Sequence, residues 1–593
     1  MLVKELEETI DHKLHIDVLS DQEGLQYEIN PVEEEKGLVN FKLKLSYSSL
    51  VEPKPVVVKW KFPSLNVKGV WKTSIDRKKR IQYDWELEHL KSRISVDAPV
   101  VSVFGHDDSN ICTFACLDAI NLTEMNALLR EEDNHVHCFV KLFSERHPII
   151  TEYEIDIRVD YRKSLFSEAL GEVSKWWETN EGLKPTHVPD IAKAPLYSTW
   201  YQYHQSLDVD TLIAECKIAS KLGYKLIILD DGWQTMDSNR GYDYTGDWFP
   251  ERIPQMKEFV DQIHNLGMKF GLWFSVPFCG KKSKAYEKFK GKFLTENNRW
   301  APVFDPRYPE VREHLINIYT TAIQEWRLDG FKLDFIDDFT VYPETVLTKE
   351  NGRDYASVNE GVDRLMTDVI TELQKINPEV FIEFRQQYIG PAMRKFGNMF
   401  RAFDCPNDSN TNRVRIADVR LLCGNSAVHA DPFTWNMNEP VEIAALQMVN
   451  AIFGVPQLSV ELAKAPEDHI RMIQFYTNFW NENRDTLMDG TFLPSRPLTN
   501  YPILKSTKDG HMIIGVFDDV VVELDQDFDR VDILNGKWSE SVAIKVLLES
   551  FNGSWEVYDC MGDLISEEDV KLMEVGLHEI YVPKSGMIKL RKY

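Results

Sequence analysis

The chain has 593 residues, more than one hydrophobic core can serve, so we expect about two to four domains. Its hydrophobic fraction of 43% and charged fraction of 27% are those of an ordinary globular protein. The formal net charge of -26 argues against nucleic acid and anionic membrane as partners, since both require a basic surface.

The chain begins with MLVKELEETIDHKLHIDV, in which charged residues interrupt every apolar run, so no signal peptide is predicted. No later window approaches the roughly 20 apolar residues of a membrane span. The eight cysteines lie scattered along the chain, without a CxxC pair or a completed metal-ligand spacing. These observations favour reduced thiols and a cytoplasmic protein.

Residues 1–190 are predicted to form an N-terminal β-sandwich domain that ends in a linker. Apolar and polar residues alternate in segments such as 38–47 and 56–62, as they do in half-buried antiparallel strands. A helical pattern follows over 161–180, and the Pro-containing segment 183–189 is typical of a linker.

Residues 191–495 alternate short apolar strands with amphipathic helices, which predicts a central (β/α)8 TIM barrel. Eight such units over roughly 300 residues agree with the usual size of this fold. A doubly wound parallel sheet is the alternative. The predicted strands are Pro195–Trp200, Tyr224–Asp231, Lys269–Val276, Gly330–Phe335, Val380–Phe384, Met399–Asp404, Ala427–Asp431 and Gln457–Leu462.

Residues 496–593 return to a β pattern and are predicted to form a C-terminal antiparallel β-sandwich. Apolar segments at 512–517, 542–547 and 587–590 are separated by Gly- and Asp-rich stretches. The whole chain is therefore predicted to be a multidomain α/β and β protein, with the barrel flanked by two sandwiches.

The segment 329–335 places a lysine and a carboxylate on one buried strand. Lys332 and Asp334 are two residues apart, so they project to the same face of the strand. Burying both groups is costly unless they are paired or used. A neighbouring lysine also keeps an aspartate ionised, which suits a nucleophile. A purely structural ion pair is the alternative.

In a barrel of this kind the active site lies at the carboxyl ends of the strands. Carboxylates there accept hydrogen bonds from sugar hydroxyls, Lys and Arg donate them, and Trp rings pack against sugar C–H groups. Glycoside hydrolysis needs two carboxyl groups beside the bond. No metal or cofactor is indicated, because no metal-ligand cluster and no phosphate loop follows a strand. The candidates are Trp200, Asp230, Asp231, Trp233, Trp273, Lys332, Asp334, Glu383, Arg385, Arg401, Asp404, Asp408 and Asp431.

Each candidate also has a structural interpretation. Asp230 and Asp231 could form a turn with the glycine that follows them. Asp404 and Asp408 could cap the next helix, and the tryptophans could belong to the core. Their joint placement at strand ends favours a site over these separate explanations.

Five segments carry a family resemblance: Tyr197-Ser198-Thr199-Trp200, Leu229-Asp230-Asp231-Gly232-Trp233, Gly246-Asp247-Trp248, Gly271-Leu272-Trp273 and Phe331-Lys332-Leu333-Asp334. In this order and spacing they resemble the α-galactosidases of glycoside hydrolase family 36, the related family 27 enzymes and the plant raffinose-synthase-like proteins. The likeness covers the barrel from about residue 195 to 460.

The resemblance implies a role for each matching residue. Asp334 matches the nucleophile, and Lys332 matches the lysine that contacts galactose. Asp230 and Asp231 match the pair that holds O4 and O6 of galactose. Arg401 matches an arginine shortly before the acid/base aspartate. The implied activity is retaining hydrolysis of terminal α-linked galactose from oligosaccharides, without a cofactor.

The sequence departs from the family pattern at the acid/base position. Many relatives place this aspartate four residues after the arginine, where this chain has Cys405. Asp404 lies three residues after Arg401, as in raffinose-synthase relatives, and is favoured over Asp408. Glu383-Phe384-Arg385-Gln386 also replaces the glycine- or cysteine-containing loop of better-known members, so the sugar beyond galactose is left open.

Four other functions are weighed against this hypothesis. A galactosyltransferase of raffinose-synthase type would pass galactose to a sugar acceptor. Another α-glycosidase would act on N-acetylgalactosamine, glucose or xylose, although Asp230 and Asp231 speak against glucose. A carbohydrate-binding module without activity and a Mg²⁺-dependent barrel enzyme are less favoured. The expected partner is an α-galactoside oligosaccharide, and a homo-oligomer is left open.

Overall fold

The computed structural model describes residues 3–6, 14–73, 75–547 and 549–593. Half of the segment for which no signal peptide is predicted, residues 1–2 and 7–13, lies outside the described residues. Within the described part of the chain, no helix has the length and apolar character needed to cross a membrane.

The N-terminal part of the chain forms two sheets. One has the strand order β1-β2-β5-β12-β11-β7, with β8 also paired to β11, and the other has the order β3-β4-β13-β10-β9-β6. Their strands are β1 Val3–Leu6, β2 Leu14–Ser20, β3 Gln26–Glu35, β4 Leu38–Val51, β5 Val56–Pro63, β6 Val67–Lys72, β7 Gln82–Tyr83, β8 Leu90–Ser92, β9 Val100–Gly105, β10 Asn110–Cys116, β11 Thr123–Arg130, β12 His135–Leu142 and β13 Ile150–Asp160.

These two sheets share one apolar core. Buried residues alternate with more exposed ones along β12, as the sequence pattern predicts for a half-buried strand. Trp60 of β5 and Phe114 of β10 come from different sheets and meet edge to face, with ring centroids 4.9 Å apart. The predicted packing of two sheets against each other is therefore present in this part of the chain.

Eight parallel strands follow, and each lies within or beside one of the predicted barrel strands. Their order in the sheet is β22-β21-β20-β19-β16-β15-β14-β23. Val455 donates to Val428 and accepts from Ala430, which joins the two ends of the sheet. The strands, with the hairpin β17–β18, are β14 Leu196–Ser198, β15 Leu226–Leu229, β16 Lys269–Ser275, β17 Phe293–Thr295, β18 Val303–Phe304, β19 Gly330–Asp334, β20 Phe381–Arg385, β21 Met399–Arg401, β22 Ala427–His429 and β23 Gln457–Leu458.

The sequential strand order excludes the doubly wound alternative, because that fold reverses its strand order inside the sheet. Every residue of β15, β19 and β20 is buried, since helices cover the outer face and side chains fill the interior. The carboxyl ends of the eight strands consequently meet at one end of the sheet.

Helices connect most of these strands. Several begin with a side-chain cap: Asp208 accepts from the N–H of Thr211 at 2.9 Å, and Ser357 accepts from the N–H of Glu360 at 3.3 Å. The helices are α1 Phe166–Glu178, α2 Trp200–Tyr203, α3 Val209–Lys221, α4 Met256–Asn265, α5 Lys284–Lys288, α6 Pro309–Glu325, α7 Val358–Ile376, α8 Ser409–Arg420, α9 Val441–Asn450, α10 Glu467–Glu482 and α11 Arg484–Asp489. Short 3₁₀ turns lie at Glu181–Leu183, Asp190–Lys193, Ile336–Asp338, Met393–Lys395, Leu462–Lys464 and Pro497–Thr499.

The last part of the chain forms a sheet with the order β24-β25-β26-β28-β33-β30-β31 and a second sheet with the order β27-β29-β32. The domain boundaries near residues 190 and 495 stay a prediction, and β24 lies on the barrel side of the second one. The strands are β24 Thr491–Ser495, β25 Ile503–Lys508, β26 His511–Val516, β27 Val521–Leu524, β28 Arg530–Asn535, β29 Ser541–Val546, β30 Phe551–Tyr558, β31 Leu564–Met573, β32 Gly576–Tyr581 and β33 Met587–Lys592.

The C-terminal sheets are mainly antiparallel, as predicted, but two of their strand pairs are parallel. β26 pairs with β28 in parallel, and β27 pairs with β29 in parallel. The chain alternates between the two sheets here, so that consecutive strands of one sheet are joined through a strand of the other. Side chains alternate in the same way in parallel and antiparallel strands, so the sequence pattern does not reveal the direction.

A buried carboxylate joins the three parts of the chain. Asp418 of α8 accepts hydrogen bonds from the indole N–H of Trp71 at 2.9 Å and from the hydroxyl of Tyr501 at 2.6 Å. Its other oxygen lies 2.7 Å from Nζ of Lys79. All four side chains are nearly inaccessible to solvent.

Replacing Asp418 with Ala is expected to destabilise the protein by about 3–5 kcal/mol, because Lys79 would remain as a buried cation without its partner. The free energy of unfolding in urea, followed by tryptophan fluorescence, measures the loss. Asp368→Ala is the control, since Asp368 pairs with Arg364 on the surface of α7 and such pairs contribute little. Equal losses in both variants would contradict the assignment of Asp418.

Candidate active site

Asp334 ends β19 at the carboxyl edge of the parallel sheet. Its Oδ1 accepts hydrogen bonds from Nε of Arg385 at 2.9 Å, from the backbone N–H of Phe335 at 2.8 Å and from the hydroxyl of Tyr388. Its Oδ2 accepts from the indole N–H of Trp273 at 3.0 Å. The carboxylate is therefore held in one orientation, and Oδ2 has fewer donors than Oδ1.

The charges around Asp334 favour its ionised form. Burial raises the pKa of Asp334, but the cations Arg385 and Lys332 outweigh burial and hold this pKa well below its usual range. Nζ of Lys332 lies 3.9 Å from Oδ2 of Asp334 and 2.6 Å from Oδ2 of Asp230. Burial lowers the pKa of Lys332, yet its carboxylate neighbours, Asp230 foremost, raise it overall.

The adjacent aspartates at the end of β15 have different surroundings. Asp230 is paired with Lys332, next to the nucleophile candidate. Both oxygens of Asp231 instead accept from side-chain amides, Oδ2 from Gln205 and Oδ1 from Gln234, each at 2.7 Å. Burial raises the pKa of Asp231 to about 6, although these amides oppose the shift. The sequence motif does not distinguish the two residues, but their hydrogen bonds do.

The three predicted tryptophans have different environments. Trp273 supports the carboxylate of Asp334 through its indole N–H. Trp200 is half-buried, and the guanidinium of Arg240 lies 5.2 Å from its ring centroid. Trp233 is 0% exposed and donates to the carbonyl of Trp273. Trp233, a predicted substrate contact, therefore packs as a core residue in the structure, and its contact with a sugar stays a prediction.

Arg401, at the end of β21, lies among three carboxylates. Its Nη2 donates to Oδ1 of Asp404 at 2.9 Å, and its Nη1 donates to Oδ1 of Asp431. Its Nε lies 3.7 Å from Oε1 of Glu383. Arg401 is 2% exposed, whereas the side chain of Asp404 is 40% exposed. Asp404 is therefore the member of this cluster that a ligand can reach most readily.

Asp431 and Glu383, both predicted substrate contacts, are engaged by protein groups in the structure. Oδ2 of Asp431 accepts from the hydroxyl of Tyr201 at 2.8 Å and from the backbone N–H of Cys405 at 2.7 Å. Oε2 of Glu383 accepts from the amide of Gln457. Both carboxylates are enclosed, 0% and 1% exposed, because barrel residues that are distant in sequence surround them.

Asp408 caps the helix α8. Its Oδ1 accepts from the backbone N–H of Thr411 at 2.9 Å, and its Oδ2 accepts from the Thr411 hydroxyl. This is the geometry in which aspartate stabilises a helix N-terminus. The second acid/base candidate thus has a structural task, whereas the side chain of Asp404 caps no helix and pairs with Arg401.

Two tyrosines that sequence reasoning missed hold these groups in place. Tyr388 donates to Asp334, and Tyr201 donates to Asp431. The signal for both was their position shortly after a strand end, since Tyr201 directly follows Trp200 and Tyr388 lies three residues beyond β20.

An aromatic wall stands beside Asp334. The ring of Tyr242 lies 6.1 Å from that of Trp273, 5.3 Å from that of Phe335 and 5.8 Å from that of Trp300, measured between centroids. Trp300 is 40% exposed, so one ring of the wall is open to solvent. The sequence-based candidates included only Trp273 of this wall.

These groups can perform nucleophilic attack and proton transfer. Asp334 is an ionised carboxylate next to a cation, and Asp404 is a second, more exposed carboxylate beside Arg401. In the described ranges, no group of three or more His, Cys, Asp and Glu side chains could hold a metal ion. The arrangement is that of paired carboxyl groups at the open end of a barrel.

Comparison with known sequences finds relatives for part of the chain. Residues 184–415 match the Melibiase family model. Alpha-galactosidase 2 of Pediococcus pentosaceus is 30% identical over 208 residues, which cover 33% of this chain and 28% of that relative. Alpha-galactosidase AgaA of Geobacillus stearothermophilus is 24% identical over 321 residues, covering 51% and 43%. The chain therefore spans less than half the length of these curated relatives.

Comparison with solved structures extends over nearly the whole chain. A variant of AgaA from Geobacillus stearothermophilus, in complex with 1-deoxygalactonojirimycin, has a TM-score of 0.66 at 14% identity, covering 99% of this chain and 84% of that one. The galactosidase domain of AgaSK has a TM-score of 0.66 at 13% identity, covering 98% and 82%. At such identities the likeness shows a shared fold.

Proposed function

We propose that the protein is a retaining α-galactosidase, because residues 184–415 match the Melibiase family model. It would release terminal α-linked galactose from oligosaccharides. The observation that carries the proposal is the ionised carboxylate of Asp334, held by Trp273 and Arg385 next to the Lys332–Asp230 pair. This combination offers a nucleophile and hydroxyl-binding groups in one place.

In the first step, Oδ2 of Asp334 attacks the anomeric carbon of galactose. Oδ2 is the attacking atom because its partner oxygen already receives three hydrogen bonds. The bond from the anomeric carbon to the leaving oxygen breaks, and its electron pair goes to that oxygen. Asp404, in its protonated form, gives its proton to the leaving oxygen, and galactose remains as an ester on Asp334.

In the second step, Asp404 has become a carboxylate and removes a proton from water. The water oxygen attacks the anomeric carbon on the face that the leaving group vacated, and the ester bond to Asp334 breaks with its electron pair returning to the carboxylate. Two inversions give galactose with its original α configuration.

Galactose would be recognised by the charged groups beside the nucleophile. Lys332 donates to a sugar hydroxyl, and Asp230 accepts from another. Asp231 would act mainly by fixing this part of the site, since its oxygens are engaged by two glutamines. AgaA variants have been solved in complex with raffinose and with stachyose. We therefore propose oligosaccharides of this class as substrates, and the exposed ring of Trp300 as a contact for the sugar beyond galactose.

A panel of p-nitrophenyl glycosides tests the proposed function. We expect release of p-nitrophenol from the α-galactoside, with much lower rates for the α-glucoside, the α-xyloside and the α-N-acetylgalactosaminide. Proton NMR during the first turnovers should show α-galactose before mutarotation. Formation of β-galactose first, or preference for another sugar, would contradict the proposal.

The same assay separates the rival functions. Added sucrose would divert galactose into a trisaccharide if the protein is a transferase, whereas a hydrolase releases free galactose under these conditions. Binding without turnover of any glycoside would identify a carbohydrate-binding module. Loss of activity with EDTA would identify a metal-dependent enzyme.

A further inference from the structure

Asp431 is a buried carboxylate that the two steps above do not use. Its oxygens are occupied by Arg401, Tyr201 and the backbone N–H of Cys405. Its own N–H and carbonyl are bonded to the side-chain amide of Asn412, at 3.0 and 2.9 Å. Because Asp431 is 0% exposed and fixed on every side, it acts through its neighbours and not on a ligand.

The neighbour that connects Asp431 to the chemistry is Arg401. The two terminal nitrogens of one guanidinium bond Asp431 and Asp404, and its Nε lies near Glu383. One buried cation therefore faces three carboxylates. Because like charges in a buried place repel strongly, a proton on one of these carboxyl groups stabilises the cluster.

We propose that Asp404 and Asp431, bridged by Arg401, share one proton, and that Asp431 is a positioning residue that keeps this proton available to Asp404 near neutral pH. The inference rests on the proposed function, since it concerns the acid that protonates the leaving group. Two coupled carboxyl groups release their protons in steps that belong to the pair and not to either residue.

The ionisation of the two groups agrees with such sharing. Burial raises the pKa of Asp404, but Arg401, Arg385 and Lys332 together hold it below its usual value. Burial raises the pKa of Asp431 to about 7, although Arg401 opposes the shift and the charge of Asp404 adds to it. Asp404 on its own would be a poor proton donor at neutral pH. When Asp431 is ionised, its charge offsets that of Arg401, and the pair retains one proton at neutral pH.

The charged and titratable neighbours of Asp404 and Asp431 also affect the proton affinity of this pair. Arg401 and Tyr201 contact Asp431 from β21 and α2, and the Cys405 thiol belongs to the residue that follows Asp404. Arg385, Lys332 and Asp334 act on Asp404 from the site, and Arg415 donates to the carbonyl of Asp404 at 3.1 Å. Glu383, whose pKa is also raised by burial, lies on the far side of Arg401. Attachment of galactose to Asp334 removes one of these negative charges. The proton affinity of the pair then falls, which favours the carboxylate form of Asp404 in the second step.

Asp431→Asn tests the proposal through the pH profile of kcat/KM. The amide has nearly the same shape but carries no charge and no acidic proton, so Arg401 would pair with the Asp404 carboxylate alone. We expect the alkaline limb of the profile to move to lower pH by roughly 1–2 units. The rate for an α-galactosyl disaccharide at pH 7 should fall much more than that for the dinitrophenyl α-galactoside, whose leaving group needs no proton.

Tyr201→Phe is a second variant with a different expected result. Removing the hydroxyl takes away a donor that stabilises ionised Asp431, so the pair holds its proton more strongly. We expect the alkaline limb to move to higher pH, with a lower plateau because the proton resides more on Asp431. Since the two variants act in different directions, a general loss of folded protein does not explain both.

Asp532→Asn is the matched control, because Asp532 is also 0% exposed and paired with an arginine but lies in β28 of the C-terminal sheet. Its pH profile should equal that of the wild type. In an Asp404→Ala background, Asp431→Asn should cause no further change in leaving-group dependence. An unchanged profile in Asp431→Asn would overturn the inference. If Asp404→Ala itself left leaving-group dependence unchanged, the acid role of Asp404 on which the inference rests would fail, whereas the proposed function would fail if the wild type released no galactose from α-galactosides.

Discussion

Asp334→Gly should abolish hydrolysis of p-nitrophenyl α-galactoside, lowering kcat by roughly four or more orders of magnitude. The reason is that no other carboxylate shares its position at the end of β19, where Trp273, Arg385 and Tyr388 fix its oxygens. Without Asp334 no glycosyl ester forms, and water bound in the cavity is a weak nucleophile. Initial rates over a wide range of enzyme concentration measure the residual activity.

Adding sodium azide to Asp334→Gly provides a second test, in which the configuration of the product is measured. Glycine leaves space for a small anion next to Arg385 and Lys332, the cations that normally face Asp334. Azide should restore turnover of a substrate with a good leaving group, and the product should be β-galactosyl azide, because azide attacks from the side of the missing carboxylate. The α anomer would show that another residue is the nucleophile.

Asp329→Asn is the matched control for Asp334→Gly. Asp329 directly precedes β19 at its amino end and bonds Lys269 and the backbone N–H of Phe270. Residues at that end of a barrel serve stability and not chemistry. We expect a lower melting temperature with nearly unchanged kcat. Loss of activity in both variants, or retention of more than a few per cent of it in Asp334→Gly, would contradict the role given to Asp334.

Local sequence pattern was sufficient to locate the barrel and the line of polar groups at its mouth. Short apolar runs mark strands that are buried on both faces, as in β15, and their polar endings mark the carboxyl edge. Lys332 and Asp334 were predicted to share a face because strand geometry depends only on their spacing. The parallel pairs of the C-terminal sheets were missed, since direction depends on how distant segments meet.

Which candidate faces the site could not be predicted, because burial at a strand end depends on residues far away in sequence. Asp230 and Asp231 are neighbours, yet only Asp231 is enclosed by glutamines. Trp233 and Asp431 stand at strand ends like the others, but the loops and helices around them close over their side chains. A single sequence predicts which side chains lie at the carboxyl ends of the strands. It does not predict which of them remain exposed to solvent.

Asp404→Ala and Asp408→Ala separate the two acid/base candidates. For an α-galactosyl disaccharide, Asp404→Ala should lower kcat/KM by about 10²–10⁴-fold, the usual contribution of a positioned acid. For dinitrophenyl α-galactoside the first step needs no proton, so its rate should change little while the second step becomes limiting. Azide should then accelerate turnover and give α-galactosyl azide, because it attacks the ester on Asp334 from the open face.

Asp408→Ala should behave differently, because Asp408 caps α8 through Thr411. We expect a loss of about 1 kcal/mol in stability and unchanged dependence on the leaving group. The reverse pattern, with rescue by azide in Asp408→Ala alone, would make Asp408 the acid/base and leave the Arg401 pair with a structural role. Since azide gives the β anomer without the nucleophile and the α anomer without the acid/base, the two products assign both carboxylates independently of any change in stability.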